Sequence, residues 1–309
     1  MRALNRVVIV EGPDGAGKTT LCRELKERYR EWGASVAPIM EHEGVPAAGV
    51  DPFTSYTEKL LRYLTARVPR VLDRFHLGET VYGPICRGES KLGAYGVRLL
   101  DRLCAAYGVA IIVALPARAT CVANWRLKDD YVKTEATFSA VYDAYVSLKF
   151  RYLAYDYERE GSLTDLFEYL NKPRPTLPLG AAGSPAARVL LVGERPNGAL
   201  DLPFHALTNS SRYLNDALER AGLPEYALAL ANARRWDNQP FDLHALAAQL
   251  PNLRLVVPLG NVAARAVHAL AHNGVDVLPL PHPQHWKRFH AREAEAYVQM
   301  LKEVKRVAL

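Results

Sequence analysis

The stretch Gly12-Pro13-Asp14-Gly15-Ala16-Gly17-Lys18-Thr19 matches G-x-x-x-x-G-K-[ST] at every fixed position. It follows the apolar run Val7–Val10 and precedes a helical pattern, the strand-to-helix setting in which this spacing does chemistry. Glycines there let successive backbone N–H groups turn inward around phosphate oxygens, at the positive end of a helix dipole. Lys18 is then placed to bridge the β- and γ-phosphates of ATP, and the Thr19 hydroxyl to reach Mg²⁺, with Thr20 completing the nucleotide-binding set. A tight turn carrying a surface lysine is the plainer alternative.

A second constellation lies in "VLDRFHLGETVYGP", residues 71–84. A buried strand ending in Asp73-Arg74 delivers a carboxylate and a guanidinium to the carboxyl edge of a sheet, where open α/β folds bind ligands. Asp73 suits Mg²⁺ or an acceptor group, and the planar fork of Arg74 suits anionic oxygens. A surface ion pair is the alternative. His76, Glu79 and Tyr82 follow at spacings of three, on one face of a helix. A third segment, "ANWRLKDDYVKTEATFSAVYDAY" (123–145), offers the cations Arg126, Lys128 and Lys133, which could equally be a solvated face.

The elements that must position these residues can be read from periodicity. Short β-branched runs (6–12, 34–40, 70–74, 109–115 and 152–158) alternate with helical patterns, the rhythm of a parallel sheet covered by helices on both faces. Residues 172–187, with four prolines and two glycines, read as a semi-rigid connector without an element of its own. Beyond it the rhythm restarts, with strands in 187–194, 226–232, 253–260 and 275–283 and helices in 210–222, 241–250 and 261–274. The predicted fold is α/β throughout: a P-loop domain over 1–171, the linker 172–187, and a second, smaller α/β domain over 188–309.

Composition fits two globular modules: 309 residues, 49% apolar and 23% charged, with a net charge of +6 that suits an anionic ligand or nucleic acid. No apolar run spans a bilayer, and Val7–Val10 is too short for a signal peptide, so no membrane partner and a cytoplasmic location are expected. Cys22, Cys86, Cys104 and Cys121 form no C-x-x-C pair and read as buried, reduced thiols.

"EGPDGAGKTT" is similar to the phosphate loop of thymidylate kinases, E-G-x-D-G-x-G-K-T-T, and Asp73-Arg74 resembles their D-R-[YFH] element. "HLGETVYGP" resembles the form of that element in viral members of the group. The resemblance implies an ATP- and Mg²⁺-dependent kinase in which Asp14 faces the acceptor sugar; a hydrogen bond within the loop is the other use of Asp14. It also implies a lid carrying Arg126, Lys128 and Lys133 over the transferred phosphoryl group. Tyr142 and Tyr145 then lie near the acceptor base, if they are not core, and Phe53 and Tyr56 are weaker stacking candidates.

In the second domain, "ARVLLVGERPNGALDLPF", "LALAN", "LVVPLGNVAARAV" and "LPHPQHW" are similar, in order, to the motifs of uracil-DNA glycosylase superfamily domains. The resemblance implies Glu194 as a water-activating acid, Phe204 stacked on a flipped base, Asn232 at the pyrimidine edge, His282 near the base carbonyl, and DNA as partner. The sequence departs at Asn197, where a glycine is expected, and at Gln284, where serine is usual. With no cysteine after Cys121, the iron–sulfur cluster of several such families is excluded. Glu194, Asn232 and His282 are otherwise ordinary loop residues of a noncatalytic domain. His282, His285 and His290 fit no common metal spacing; with Trp286, Lys287 and Arg288 they read as a basic, aromatic surface.

The fusion bears on the acceptor. The whole resembles viral kinases that phosphorylate the hydroxymethyl group of 5-hydroxymethyluracil in DNA, joined to a glycosylase-like part. It implies phosphorylation of 5-hydroxymethyldeoxyuridine during viral base hypermodification. A kinase of free dTMP or another deoxynucleoside monophosphate, and a glycosylase-like DNA-binding protein with a nucleotide-sensing half, are the alternatives.

Overall fold

The computed structural model describes residues 6–308 apart from 33, 35, 45, 47, 48, 128–131, 149–151, 173, 197–200, 208, 269 and 271–274. Lys128 and Asn197 therefore lie outside the described residues. The chain divides into two compact units, Met1–Leu100 with Gly108–Arg174, and Asp101–Tyr107 with Pro175–Leu309.

Unit 1 alternates strands and helices: β1 (Val7–Glu11), α1 (Lys18–Glu31), β2 (Ile39–His42), α2 (Pro52–Thr65), β3 (Arg70–Asp73), α3 (His76–Tyr82), α4 (Gly93–Ala106, its residues from Asp101 on counted in unit 2), β4 (Ala110–Ala114), α5 (Arg118–Arg126), α6 (Glu135–Leu148), β5 (Leu153–Tyr155) and α7 (Ser162–Asn171). A π-helical turn, Gly83–Arg87, separates α3 from α4. The strands form one parallel sheet in the order β2-β3-β1-β4-β5. Every residue of β1 and β4 is buried, as expected where helices cover both faces. The chain runs from β1 to one side of the sheet and later to the other, so the switch point, where ligands bind, lies at the carboxyl end of β1.

In this sheet β2 and β5 depart furthest from the runs that the periodicity predicts. Pairing of β2 begins at Ile39, whose N–H donates to Pro69 O at 2.9 Å, because Pro38 has no N–H to give to a ladder. β5 stops at Tyr155, where the Asp156 carboxylate takes the Glu158 N–H at 2.9 Å and turns the chain.

Unit 2 contains β6 (Ala182–Gly183), β7 (Val189–Gly193), α8 (Asn209–Ala221), β8 (Leu228–Asn232), α9 (Leu243–Ala248), β9 (Leu255–Pro258), α10 (Asn261–Val267), β10 (Asp276–Val277), α11 (Pro283–Phe289) and α12 (Ala294–Ala308). Its sheet order is β10-β9-β7-β8-β6, parallel except for β6. The linker expectation is corrected here, because Ala182–Gly183 form an antiparallel edge strand on β8 and Ala181, Ala182 and Ala187 are buried. Alanine and glycine suit this close approach: a side chain at Gly183 would strike the Leu228 backbone. α12 packs on α8, with the Tyr213 and Tyr297 rings 5.5 Å apart. Again the chain crosses from one side of its first parallel strand to the other, and the switch point lies at the carboxyl end of β7.

Among the described residues, no helix is long and apolar enough to cross a membrane. All four cysteines are free; Cys22, Cys104 and Cys121 are buried, where desolvation pushes their thiols up, but Cys86 is only half-buried.

Candidate functional site

The loop after β1 can be so tight because of its glycines. At Gly12 (φ +143°) a side chain would strike the Ala114 carbonyl, and at Gly15 (φ +73°) that of Cys121. The Ala16 N–H closes the turn on Pro13 O at 3.3 Å, and α1 starts at Lys18. Lys18 is buried, its Nζ donating to Pro13 O at 2.6 Å and lying 3.7 Å from Asp14 Oδ1. Burial, with Arg74 nearby, lowers its pKa to about 8 against the opposing pull of Asp14, Asp73 and Glu11.

Across the sheet, register sets Val10 opposite Asp73 and His42 opposite Asp73. Thr19 Oγ1 donates to Asp73 Oδ2 at 2.6 Å, and His42 Nδ1 lies 3.4 Å from the same oxygen. Asp73 Oδ1 is buried with no hydrogen-bond partner among the described residues. A hydroxyl, a carboxylate and an unpartnered buried oxygen beside a phosphate loop fit a hard cation that completes its shell with phosphate oxygens and water. Thr20 follows on α1, exposed.

Arg74 takes a positive φ of +74°, its N–H donating to Val10 O at 2.9 Å, and its guanidinium donates to Asp14 Oδ1 at 2.7 Å over the Tyr82 ring. Asp14 Oδ1 thus faces both Arg74 and Lys18, while Asp14 Oδ2 is buried with no hydrogen-bond partner among the described residues. The next element is fixed from below: Glu11 accepts from the Phe75 N–H at 2.7 Å, the Gly78 N–H at 3.3 Å and the Tyr145 hydroxyl at 3.2 Å. His76, Glu79 and Tyr82 do share one helix, and all three are buried.

Beside Arg74 opens a cavity of about 440 Å³ lined by His42, Glu43, Tyr56, Arg74, Phe75, Glu79, Tyr82, Arg87 and Lys91, among others. Glu79 holds Arg87 at 2.6 Å and accepts from the Lys91 N–H at 2.8 Å, a contact that the π-helical turn makes possible. Glu43, buried and bonded to Lys59 and the Tyr63 hydroxyl, was missed in the sequence. Its one legible signal was a carboxylate at a strand end, in "EHE". Of the aromatic residues expected near the acceptor base (Phe53, Tyr56, Tyr142 and Tyr145), Tyr56 lines the cavity. Phe53 is buried in α2, Tyr145 is core, and the Tyr142 hydroxyl donates to Pro116 O at 2.8 Å, the aromatic stripe of α6 having been taken up by packing. Arg126 ends α5, exposed and paired with Glu135 at 2.6 Å; Asn124 on the same helix donates to Gly15 O at 3.0 Å. Lys133 lies in the turn before α6.

In unit 2 two of the four expected residues, Phe204 and Asn232, meet at Gly193, next to Glu194 in the chain, while His282 packs on Gly260. A side chain at Gly193 would come 2.5 Å from Asn232 Oδ1 and 2.7 Å from Phe204 Cζ, so both groups pack on its bare face. Asn232 ends β8, buried, and its Nδ2 has no partner among the described residues. Phe204 is held with φ +49°. His282 caps α11, accepting the Gln284 N–H on Nδ1 at 3.2 Å, which leaves the neutral ring's proton on Nε2. Burial and His285 lower its pKa against the raising influence of Glu194, which is itself exposed at the end of β7. The expected basic, aromatic surface needs correction. Trp286 is buried, stacked on His290 at 4.4 Å with Nε1 donating to Glu293 O at 3.2 Å, and Phe289 is the exposed ring instead.

Residues 181–305 match the family model described as the uracil DNA glycosylase superfamily. No curated protein matches the chain. Among solved structures, unit 1 is similar to the YorR protein of Bacillus subtilis in complex with phosphorylated GDP, with 16% identity, 52% of this chain and 91% of that one covered, and a TM-score of 0.41. It is also similar to deoxyadenosine kinase of M. mycoides with bound dATP, with 14% identity, 54% and 100% covered, and a TM-score of 0.32. A candidate uracil DNA glycosylase of Methanosarcina acetivorans is similar at 16% identity over 42% of this chain and 96% of that one, with a TM-score of 0.31. Likenesses of this order leave activity to the chemistry of the site.

Proposed function

We propose that the chain is an ATP- and Mg²⁺-dependent phosphotransferase acting on a thymine-type nucleotide, its acceptor being the 5-hydroxymethyl group of 5-hydroxymethyldeoxyuridine in DNA. The phosphotransferase reading is carried by the meeting of Thr19 with Asp73 at 2.6 Å beside the glycine loop. Those two residues would hold Mg²⁺, which, when bound, neutralises charge on the β- and γ-phosphates. Lys18 exchanges Pro13 O for phosphate oxygens, and the loop N–H groups hold the triphosphate in line with the acceptor.

The cavity supports a hydroxyl acceptor over a phosphate. Tyr56, Phe75 and Tyr82 line the cavity, and both guanidinium groups already hold carboxylates, Arg74 with Asp14 and Arg87 with Glu79. A second phosphate would bring its charge towards Glu43 and Glu79, whereas a neutral hydroxyl needs a carboxylate to orient it and take its proton. We assign that role to Glu43. The hydroxyl oxygen then bonds to the γ-phosphorus, the bond to the β-phosphate oxygen breaks, and ADP leaves. The glycosylase-like unit raises the local concentration of DNA substrate. A second reading, a kinase of free dTMP or a related monophosphate, draws on the cavity's size, which suits a single nucleoside.

One assay separates the two readings. γ-Labelled ATP is offered with hydroxymethyluracil-containing DNA, ordinary DNA and dTMP in parallel, and label is expected on the first. Label on dTMP alone overturns the DNA acceptor.

A further inference from the structure

Beyond Asn232 the chain makes a hairpin whose residues 234–240 are all exposed. It is firmly built. Arg234 bridges Pro240, the Arg235 N–H donates to Gln239 O at 2.8 Å, the Asn238 N–H to Arg235 O at 3.0 Å, and Asp237 takes the Gln239 N–H at 3.1 Å. Asp201 clamps the tip from outside, accepting from Arg235 Nε at 2.7 Å and from the Trp236 N–H at 3.0 Å. At that tip Trp236 is 57% exposed, whereas Trp125 and Trp286 are buried. An indole left in water forgoes the burial that usually fixes this side chain, and the clamp keeps its backbone from folding inward.

The same clamp reaches the base pocket. Asp201 and Phe204 both hold positive φ, +53° and +49°, on one short segment; one fixes the hairpin and the other lays its ring on Gly193. Trp236 is four residues past Asn232, within about 14 Å of it along the chain. Arg234 lies beside the exposed Glu194-Arg195 pair, its N–H donating to Glu194 O at 3.0 Å, so Arg195 and Arg234 bring positive charge to this edge.

We propose that Trp236 is a stacking platform for an unpaired DNA base next to the one entering the Asn232 pocket, with Arg195 and Arg234 on the flanking phosphates. The inference rests on unit 2 being the DNA-contacting part. Stacking on an aromatic face is sequence-tolerant and needs a base not already stacked in a duplex. Unit 2 therefore selects single-stranded or locally opened DNA.

The test uses the full chain and a short fluorescein-labelled oligonucleotide, single-stranded or annealed, read by anisotropy. Trp236→Ala should weaken single-strand binding roughly fivefold to a hundredfold. Trp236→Phe should recover most of that loss, while duplex affinity, thermal unfolding and ATP binding stay at wild-type values. Equal single-strand affinity of wild type and Trp236→Ala overturns the platform while leaving unit 2 a DNA binder. Failure of the wild type to bind any DNA overturns both. A change confined to self-association, read by sedimentation, makes Trp236 a contact between copies and also overturns the platform.

Discussion

The carboxyl ends of β1 and β7 are equivalent places in two five-stranded sheets, and the chain fills them in opposite ways. Around β1 it buries charge: Glu11, Asp14, Lys18 and Asp73, with Arg74 reaching in. Around β7 it sets an amide, an aromatic ring and an imidazole that burial keeps towards its neutral form. An uncompensated buried charge costs several kcal/mol, so the cations Lys18 and Arg74 both face Asp14 Oδ1, while Asp14 Oδ2 and Asp73 Oδ1 have no hydrogen-bond partner among the described residues. The second site leaves Asn232 Nδ2, an uncharged donor, without a partner among the described residues. The architecture supplies the place, and the loops decide whether it is lined by charged groups or by neutral polar and aromatic ones.

The comparison breaks most visibly at the loop. Lys18→Ala, and separately Asp73→Asn, should each cut phosphoryl transfer about a hundredfold to a thousandfold while leaving oligonucleotide affinity intact. A parallel fall in both would mean that the two sites are not chemically separate. Gly193→Ala is the reciprocal change. Its methyl group would stand 2.5 Å from Asn232 Oδ1 and 2.7 Å from Phe204 Cζ, destabilising unit 2 by about 1–3 kcal/mol and weakening DNA binding. Calorimetric unfolding should place that loss in a transition that ATP does not shift.

The smallest expected effect is a difference in pH response. Lys18 is protonated below its pKa of about 8, so kcat/KM for ATP should fall several-fold between pH 7 and pH 9 as the ammonium is lost from the free protein. His282 is lowered from an ordinary value near 6.5 and is already neutral across that interval, so oligonucleotide affinity should stay flat. Parallel declines would assign the pH response to something the two units share.

The glycine loop was legible because its tight turn depends on local backbone geometry, which glycines at fixed spacing specify over a few residues. The same holds for the alternation of strand and helix. Partners brought in from distant segments were not legible. Glu43 enters the site because β2 pairs with β3 in a register that sets His42 opposite Asp73, and Glu11 serves α3 because β3 lies beside β1. Tyr145 and Trp286 read as ligand-facing aromatics, yet both were claimed by packing, since apolar area is more strongly stabilised in a core than at a rim.

The sequence by itself determined that a glycine-rich loop of G-x-x-x-x-G-K-[ST] spacing sits after the first strand, that a carboxylate and a guanidinium end a neighbouring strand, and that a second α/β unit follows a proline-rich stretch. These are short-range properties of dihedral preference and hydrophobic period. Only the tertiary structure decided that Thr19 meets Asp73, that Asp14 holds Arg74, that part of the linker becomes β6, and that Trp236 stands in water on a clamped hairpin. Each of these depends on strand order and register, which bring together residues too far apart in the chain for any local pattern to relate.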